Sequence, residues 1–311
     1  RRQRQMCIRD SNIFDPKIFS ASVPKKLLKS GDTLTEEIAL EFIDEYDFGR
    51  FRKITQEAAL VLGNEQGTLD LCGLETLDPG VARALSKRKG SIYFYIQDIS
   101  DEAAKEISNH SDYLYFFRLE KLSRNSAKYL SMHKGNFLAI DGLKELTEDQ
   151  ASELSNYKAR LRLSALQFPP EKIAEIMSEF QGELMLPGLT QLGETDAHTK
   201  LFAKLLKANS SIEFKHLVNL PSGAAELLLL HPRNYNFPSL KKITDETAHF
   251  LGRIPGRHRL DLDGLEELSL SAANALGKFQ GFALSLKGLK NISPEVQKAL
   301  ANFKGDYLTL S

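Results

Sequence analysis

A returning alanine constrains this chain more than any other feature. A series of mostly apolar positions runs along the sequence: Leu34, Ile54, Leu77, Ile99, Leu122, Leu146, Pro169, Leu192, Leu220, Ile243, Leu268 and Ile292. Five residues after each stands an alanine: Ala39, Ala59, Ala82, Ala104, Ala127, Ala151, Ala174, Ala197, Ala225, Ala248 and Ala273. Only Gln297 breaks the column. A small residue returning at this period marks a repeat array, in which each unit packs on its neighbours. The physical reason is distance. A helix lying close over stacked strands has room for only a small side chain where the two approach.

The unit is clearest at 67–85. Leu69 and Leu71 alternate with Thr68, Asp70 and Cys72, which predicts a short strand with one buried face. Leu74, Leu77, Ala82 and Leu85 then take helical spacing after Asp78, a residue suited to the helix N-cap. Nine of the twelve series positions are followed by such a capper: Thr35, Thr55, Asp78, Ser100, Ser123, Thr147, Thr244, Ser269 and Ser293. Strand starts are expected at Leu69, Ile92, Leu114, Leu138, Leu161, Leu184, Ile212, Tyr235, Leu260, Leu284 and Leu308. The unit that holds LFAKLLKANSS is longer, so its helix should be extended or kinked. The next, with Pro232 and Pro238 near its strand, is the least regular, and any bend or pause should fall there. Residues 1–30 lack the repeat and read as a disordered lead and an N-terminal cap, with the solenoid at 31–311. The start at Arg1 points to a mature product or an excised piece.

Bulk composition narrows the function classes. The 41 basic and 41 acidic residues cancel, which gives no support to a nucleic-acid or anionic-membrane role. No apolar run approaches a membrane span, and no signal peptide is visible. Two cysteines, Cys7 and Cys72, make neither a disulfide framework nor a zinc site. Low cysteine usage gives a cytoplasmic setting as the default.

The units resemble leucine-rich repeats, whose periods run about 20–29 residues. The motif LxLxGL stands at 69–74, 260–265 and 284–289, as in Leu260-Asp261-Leu262-Asp263-Gly264-Leu265, and at 138–143 with Ile140 in its third place. With the capped, alanine-bearing helix it is most similar to an irregular bacterial subgroup of that family. The resemblance covers Leu34 to Leu310. It implies an α/β fold: a curved solenoid of about twelve strand–helix units, with a parallel sheet on the concave face and helices on the convex face. It also implies a binding or scaffolding protein, commonly of protein ligands, and no activity. Leu74, Leu143, Leu265 and Leu289 hold the slot where the family usually buries an asparagine, so the asparagine ladder is absent.

Residues flanking the buried strand positions should point to the open face. Six aromatics fall there on three adjacent strands: Tyr93, Tyr95, Tyr113, Tyr115, Phe117 and Phe137. Arg160 and Arg162 follow on the next strand. Tyr and Arg are typical interface anchors, and an apolar cluster of this size marks a contact surface. Cross-strand stacking explains the same aromatics with no ligand. The Ile92 unit is also one residue short, which would allow Tyr93 and Tyr95 to turn inward.

Other candidates read more simply as structure. His110, His133 and His198 form no metal pair and read as solvated helix residues. Gly63-Asn64-Glu65-Gln66-Gly67 lacks the ending of a phosphate loop and reads as a helix-to-strand turn. No nucleophile is paired with a base, so no catalytic residue, metal or cofactor is expected. Three functions stand side by side. The first is a non-enzymatic module that binds a protein or peptide on its concave face, with the six aromatics as anchors and the two arginines as polar margin. The second is a passive spacer or regulatory domain of a larger protein. The third is carbohydrate binding on the tyrosine platform.

Overall fold

The computed structural model describes residues 31–43, 47–208 and 214–310. The lead and cap expected at 1–30, and the strand start at Ile212, lie outside these residues. The chain divides into two units, Arg1–Leu143 and Lys144–Ser311.

In the first unit, short strands alternate with short helices: β1 (Thr33–Leu34), α1 (Glu36–Glu41), β2 (Lys53–Ile54), α2 (Gln56–Gly63), β3 (Leu69–Leu71), α3 (Pro79–Leu85), β4 (Ile92–Phe94), α4 (Asp101–Ile107), β5 (Tyr113–Phe116), α5 (Arg124–Ser131) and β6 (Phe137–Ile140). Strand β1 pairs in parallel with β2, and β3, β4, β5 and β6 pair in parallel in chain order. The register places Leu69, Ile92, Leu114 and Leu138 in one row. All four are fully buried, as the period-two pattern predicts.

The second unit holds α6 (Glu148–Leu154), β7 (Arg160–Arg162), α7 (Glu171–Ser178), β8 (Glu183–Met185), α8 (Asp196–Ala208), α9 (Ser222–Leu227), β9 (Tyr235–Asn236), α10 (Asp245–Leu251), β10 (Arg259–Asp261), α11 (Leu270–Leu276), β11 (Ala283–Leu286), α12 (Pro294–Leu300) and β12 (Tyr307–Leu310). Strands β7 and β8 pair in parallel, and so do β9 to β12, with Tyr235, Leu260, Leu284 and Leu308 in register. The strand expected between β8 and β9 lies outside the described residues. Backbone bonds also link the turns that follow the strand positions: Thr190 N–H donates to the Gln167 carbonyl and Val218 N–H to the Thr190 carbonyl, each at 2.8 Å. The Asn219 amide adds a two-point clamp on Leu192, accepting from its N–H at 3.0 Å and donating to its carbonyl at 2.7 Å.

The helices begin where the cappers stand. Eight of the nine, from Thr55 to Ser293, accept a backbone N–H of the first turn. Thr35 has the N-cap conformation without that bond. Each such cap contributes about 1 kcal/mol. Helix α8 is the long one expected, at 13 residues. Gly193 and Glu194 delay its start, so its first bond runs from Thr199 N–H to the Thr195 carbonyl. Ala197 therefore slips out of phase and is 9% exposed, whereas the other ten alanines of the column are fully buried.

A second small position, four residues beyond the alanine, completes the helix packing. It holds Gly63, Ser86, Ser108, Ser131, Ser155, Ser178, Gly252 and Gly277. A Cβ on Gly63 would lie 2.2 Å from the Ala84 carbonyl oxygen, and one on Gly252 2.1 Å from that of Ala275. Neighbouring helices thus pass backbone to backbone. Where the residue is serine, its hydroxyl turns back to its own helix, as in Ser108 Oγ donating to the Lys105 carbonyl at 2.7 Å.

The missing asparagine ladder has a local substitute. The leucine N–H in its slot closes a tight turn, from Leu74 to the Leu71 carbonyl at 3.0 Å and from Leu265 to the Leu262 carbonyl at 3.1 Å. The glycine before it is steric, since a Cβ on Gly73 would meet the Gly49 carbonyl oxygen at 2.1 Å. Crowding predicts a contrast between two sites. Ala104→Leu should destabilise the protein by about 1–3 kcal/mol through overpacking. Gln297→Leu, at the exposed equivalent position in α12, should change stability by less than about 0.5 kcal/mol. Urea denaturation followed by circular dichroism measures both.

Candidate functional site

Strand alternation sends every second side chain of β4, β5 and β6 away from the helices. Ile92, Phe94, Leu114 and Phe116 take the inner positions and are buried. Tyr93 and Tyr95 therefore point outward with the rest, and the short Ile92 unit does not invert them. The register places Asp70, Tyr93, Tyr115 and Ala139 in one outward row, and Tyr113 beside Phe137 in the next.

The rings form one connected layer. Tyr93 meets Tyr115 edge-on, with centroids 4.7 Å apart and planes at 84°. Phe117 lies 5.7 Å from Tyr93 and 5.8 Å from Tyr115. Phe137 lies 5.1 Å from Tyr115 and 5.6 Å from Tyr113. The Arg118 guanidinium sits over the Tyr95 ring at 5.7 Å, in cation–π geometry. The layer is thick enough to cover its own base. Ala139, an outward residue, is fully buried, and Phe137 is only 7% exposed. Tyr113 remains 41% exposed, and Tyr93, Tyr95, Tyr115 and Phe117 are half-buried.

At the β3 margin Asp70 is 5% exposed, and its carboxylate accepts the Cys72 N–H at 2.8 Å. Burial raises the Asp70 pKa above the ordinary carboxylate value, with a smaller push from Asp47. Burial, followed by the Asp70 charge, holds the Cys72 thiol protonated well beyond its usual range. Burial and then Tyr115 push the Tyr93 phenol up to about 12. These are signs of a dry, packed layer. Arg160 and Arg162 belong to the second unit, on β7. Arg160 is held by Glu183 on β8 through an Nε–Oε2 contact of 2.8 Å.

The histidines are not solvated helix residues, which corrects the sequence expectation. His110, His133 and His198 are at most 5% exposed. His198 bonds the Pro169 carbonyl and the Thr195 hydroxyl, each at 2.9 Å, and stacks on Phe168. His110 and His133 occupy a slot eleven residues after the apolar series, filled elsewhere by Arg88, Tyr157, Phe180, Phe279 and Phe303. Reading that column, rather than each histidine alone, would have found their burial. Among the described residues no group of three His, Cys, Asp or Glu could hold a metal ion, and no helix is long and apolar enough to cross a membrane.

No protein-family model and no curated protein matches the chain. Several solved structures do. An LRR protein of Leptospira interrogans aligns at 16% identity and a TM-score of 0.47, covering 84% of this chain and 67% of that one. An internalin of Listeria monocytogenes aligns at 13% identity and 0.48, covering 84% and 81%. A chain of the Toll–Spatzle complex of Drosophila aligns at 10% identity and 0.43, covering 91% of this chain and 42% of that one. The repeating strand–helix pattern fits a leucine-rich repeat protein. That fit rests on the chain's own period, its parallel register and its LxLxGL turns.

The ring layer predicts measurable coupling. A double-mutant cycle on Tyr93→Ala and Tyr115→Ala should return an interaction of about 0.5–1.5 kcal/mol. Additive losses in urea denaturation would show that the edge contact stabilises nothing.

Proposed function

We propose that the outward face of β4, β5 and β6 binds a protein or peptide partner, without catalysis, through Tyr93, Tyr95, Tyr113, Tyr115, Phe117 and Phe137. The observation that carries this reading is the division of labour within the layer. Phe137 and Ala139 are buried, Phe137 against the Tyr113 and Tyr115 rings, while Tyr113 keeps a large free surface at its edge. A rigid apolar layer with tyrosine hydroxyls at its border is suited to bury a partner's side chains at little entropic cost. The tilts favour a peptide over a sugar. Rings at 84° and 59° to their neighbours make an uneven surface rather than the flat platform that a sugar face would cover. Arg160 is already committed to Glu183, so the aromatic face alone supports the reading.

Because the inner rings also hold the layer together, the exposed ring is the one to remove. Peptides selected by display on the full chain should lose at least tenfold in affinity for Tyr113→Ala, with the melting midpoint moved by no more than about 3 °C. Leu270→Ala, which trims an exposed side chain on α11, should leave that affinity unchanged. Selected peptides that bind the Tyr113 variant normally would refute the site. A glycan array run on the same protein tests the sugar alternative.

A further inference from the structure

Three successive residues of one repeat slot, Arg88, His110 and His133, lie under the loops that lead into the strands of the first unit. Each reaches a carbonyl of the preceding repeat. Arg88 is 3% exposed, and its guanidinium donates to Gly67 at 3.1 Å, Leu62 at 2.6 Å and Gln66 at 2.9 Å. His110 Nε2 donates to Gly90 at 2.8 Å, and His133 Nε2 donates to Asp112 at 2.9 Å. The two imidazoles stack, with centroids 6.2 Å apart and planes at 14°.

These bonds fix the state of the rings. Each Nε2 carries a proton because its partner is a carbonyl, so a second proton can only enter at Nδ1. In His110 that atom is buried. The charged groups around the column are few. Arg88 and Asp112 act on His110, and His110 acts on His133. Glu65 faces Arg88, and the Ser86 and Ser108 carbonyls face the two rings. Asp112 is itself engaged, accepting the Gly90 N–H at 2.7 Å. The residues gripped by the histidines lead straight into the aromatic strands. Gly90 stands two residues before β4, and Asp112 one residue before β5.

We propose that the His110–His133 stack is an acid-sensitive latch beneath the aromatic face: protonation adds cations to a buried column that already holds Arg88, and releases the loops that lead into β4 and β5. Release of a bound peptide in acid is the consequence, and only that consequence rests on the binding function proposed above. Burial holds both imidazoles below their ordinary pKa, His133 down to about 4. The sign follows. The unfolded chain takes up these protons first, at about pH 6.5, so this stability is complete above that value and is lost as pH falls toward 4.

The repeat supplies its own test variants, since Phe180, Phe279 and Phe303 fill the same slot. Urea unfolding of the full chain and of the His110→Phe/His133→Phe variant is compared at about pH 7 and about pH 4.5. The wild-type unfolding constant should rise at least about fiftyfold more than that of the variant, with a net uptake of about one extra proton or more. Equal pH dependence in the two proteins would overturn the latch. An NMR titration of wild-type imidazoles covers the case of a variant that fails to fold. Two rings should stay neutral well below pH 6 in the folded protein, and their protonation near 6.5 would refute the proposal. Peptide affinity is read separately on both proteins. Acid sensitivity without peptide binding removes the binding reading and leaves the latch. Peptide binding with equal pH dependence removes the latch alone.

Discussion

Everything in this fold depends on how closely successive helices approach. At the alanine column and at the glycine or serine four residues later, the side chains shrink until one helix backbone meets the next. Gly63 and Gly252 lie so near the Ala84 and Ala275 carbonyls that a methyl group would clash. Close packing of this kind gains dispersion energy along the whole contact and tolerates little added volume. It also fixes the spacing of the helices, which must match the narrow spacing of the parallel strands beneath them. The serines serve the same end. Their hydroxyls fold back on helix carbonyls and leave the contact face small and satisfied.

With spacing fixed, the strands need little length of their own. Those of the first unit run two to four residues, too short to be stable outside the array. Their register comes from stacking, and register decides which side chains meet on the outward face. Tyr93 and Tyr115 are 22 residues apart in sequence and touch because Asp70, Tyr93 and Tyr115 share a row. The same layer is both a stabilising element and a candidate surface. Cross-strand ring contacts hold the interior rings, and a partner would meet the rings at the border.

The slot under the loops shows how one geometry accepts different chemistry. Phenylalanine fills it by size alone in the last units, with Phe279 and Phe303 stacked at 6.1 Å. In the first unit the same space holds an arginine and two histidines, which add directed bonds to loop carbonyls. A buried cation or potential cation costs more than a phenyl ring, and what it adds is a dependence on protons that an apolar ring lacks.

The sequence by itself determined the repeat: its period, the inward leucines, the alanine column and most caps. Each depends on neighbours within one helical turn or one strand alternation, so pattern suffices. It also offered the six aromatics as one face, since alternation along a strand is a local rule, but left Tyr93 and Tyr95 open to turning inward because their unit is one residue short. Only the tertiary structure decided what those residues meet. It sealed Phe137 and left Tyr113 open, it paired Arg160 with Glu183, and it buried three histidines that read as solvated. It also paired the Asn219 amide with the backbone of Leu192, 27 residues away. Exposure and partners depend on contacts between repeats, across 20 to 29 residues, as in the bonds of His110 and His198. Local periodicity says which way a side chain points, but the packing of the adjoining repeats decides what covers it.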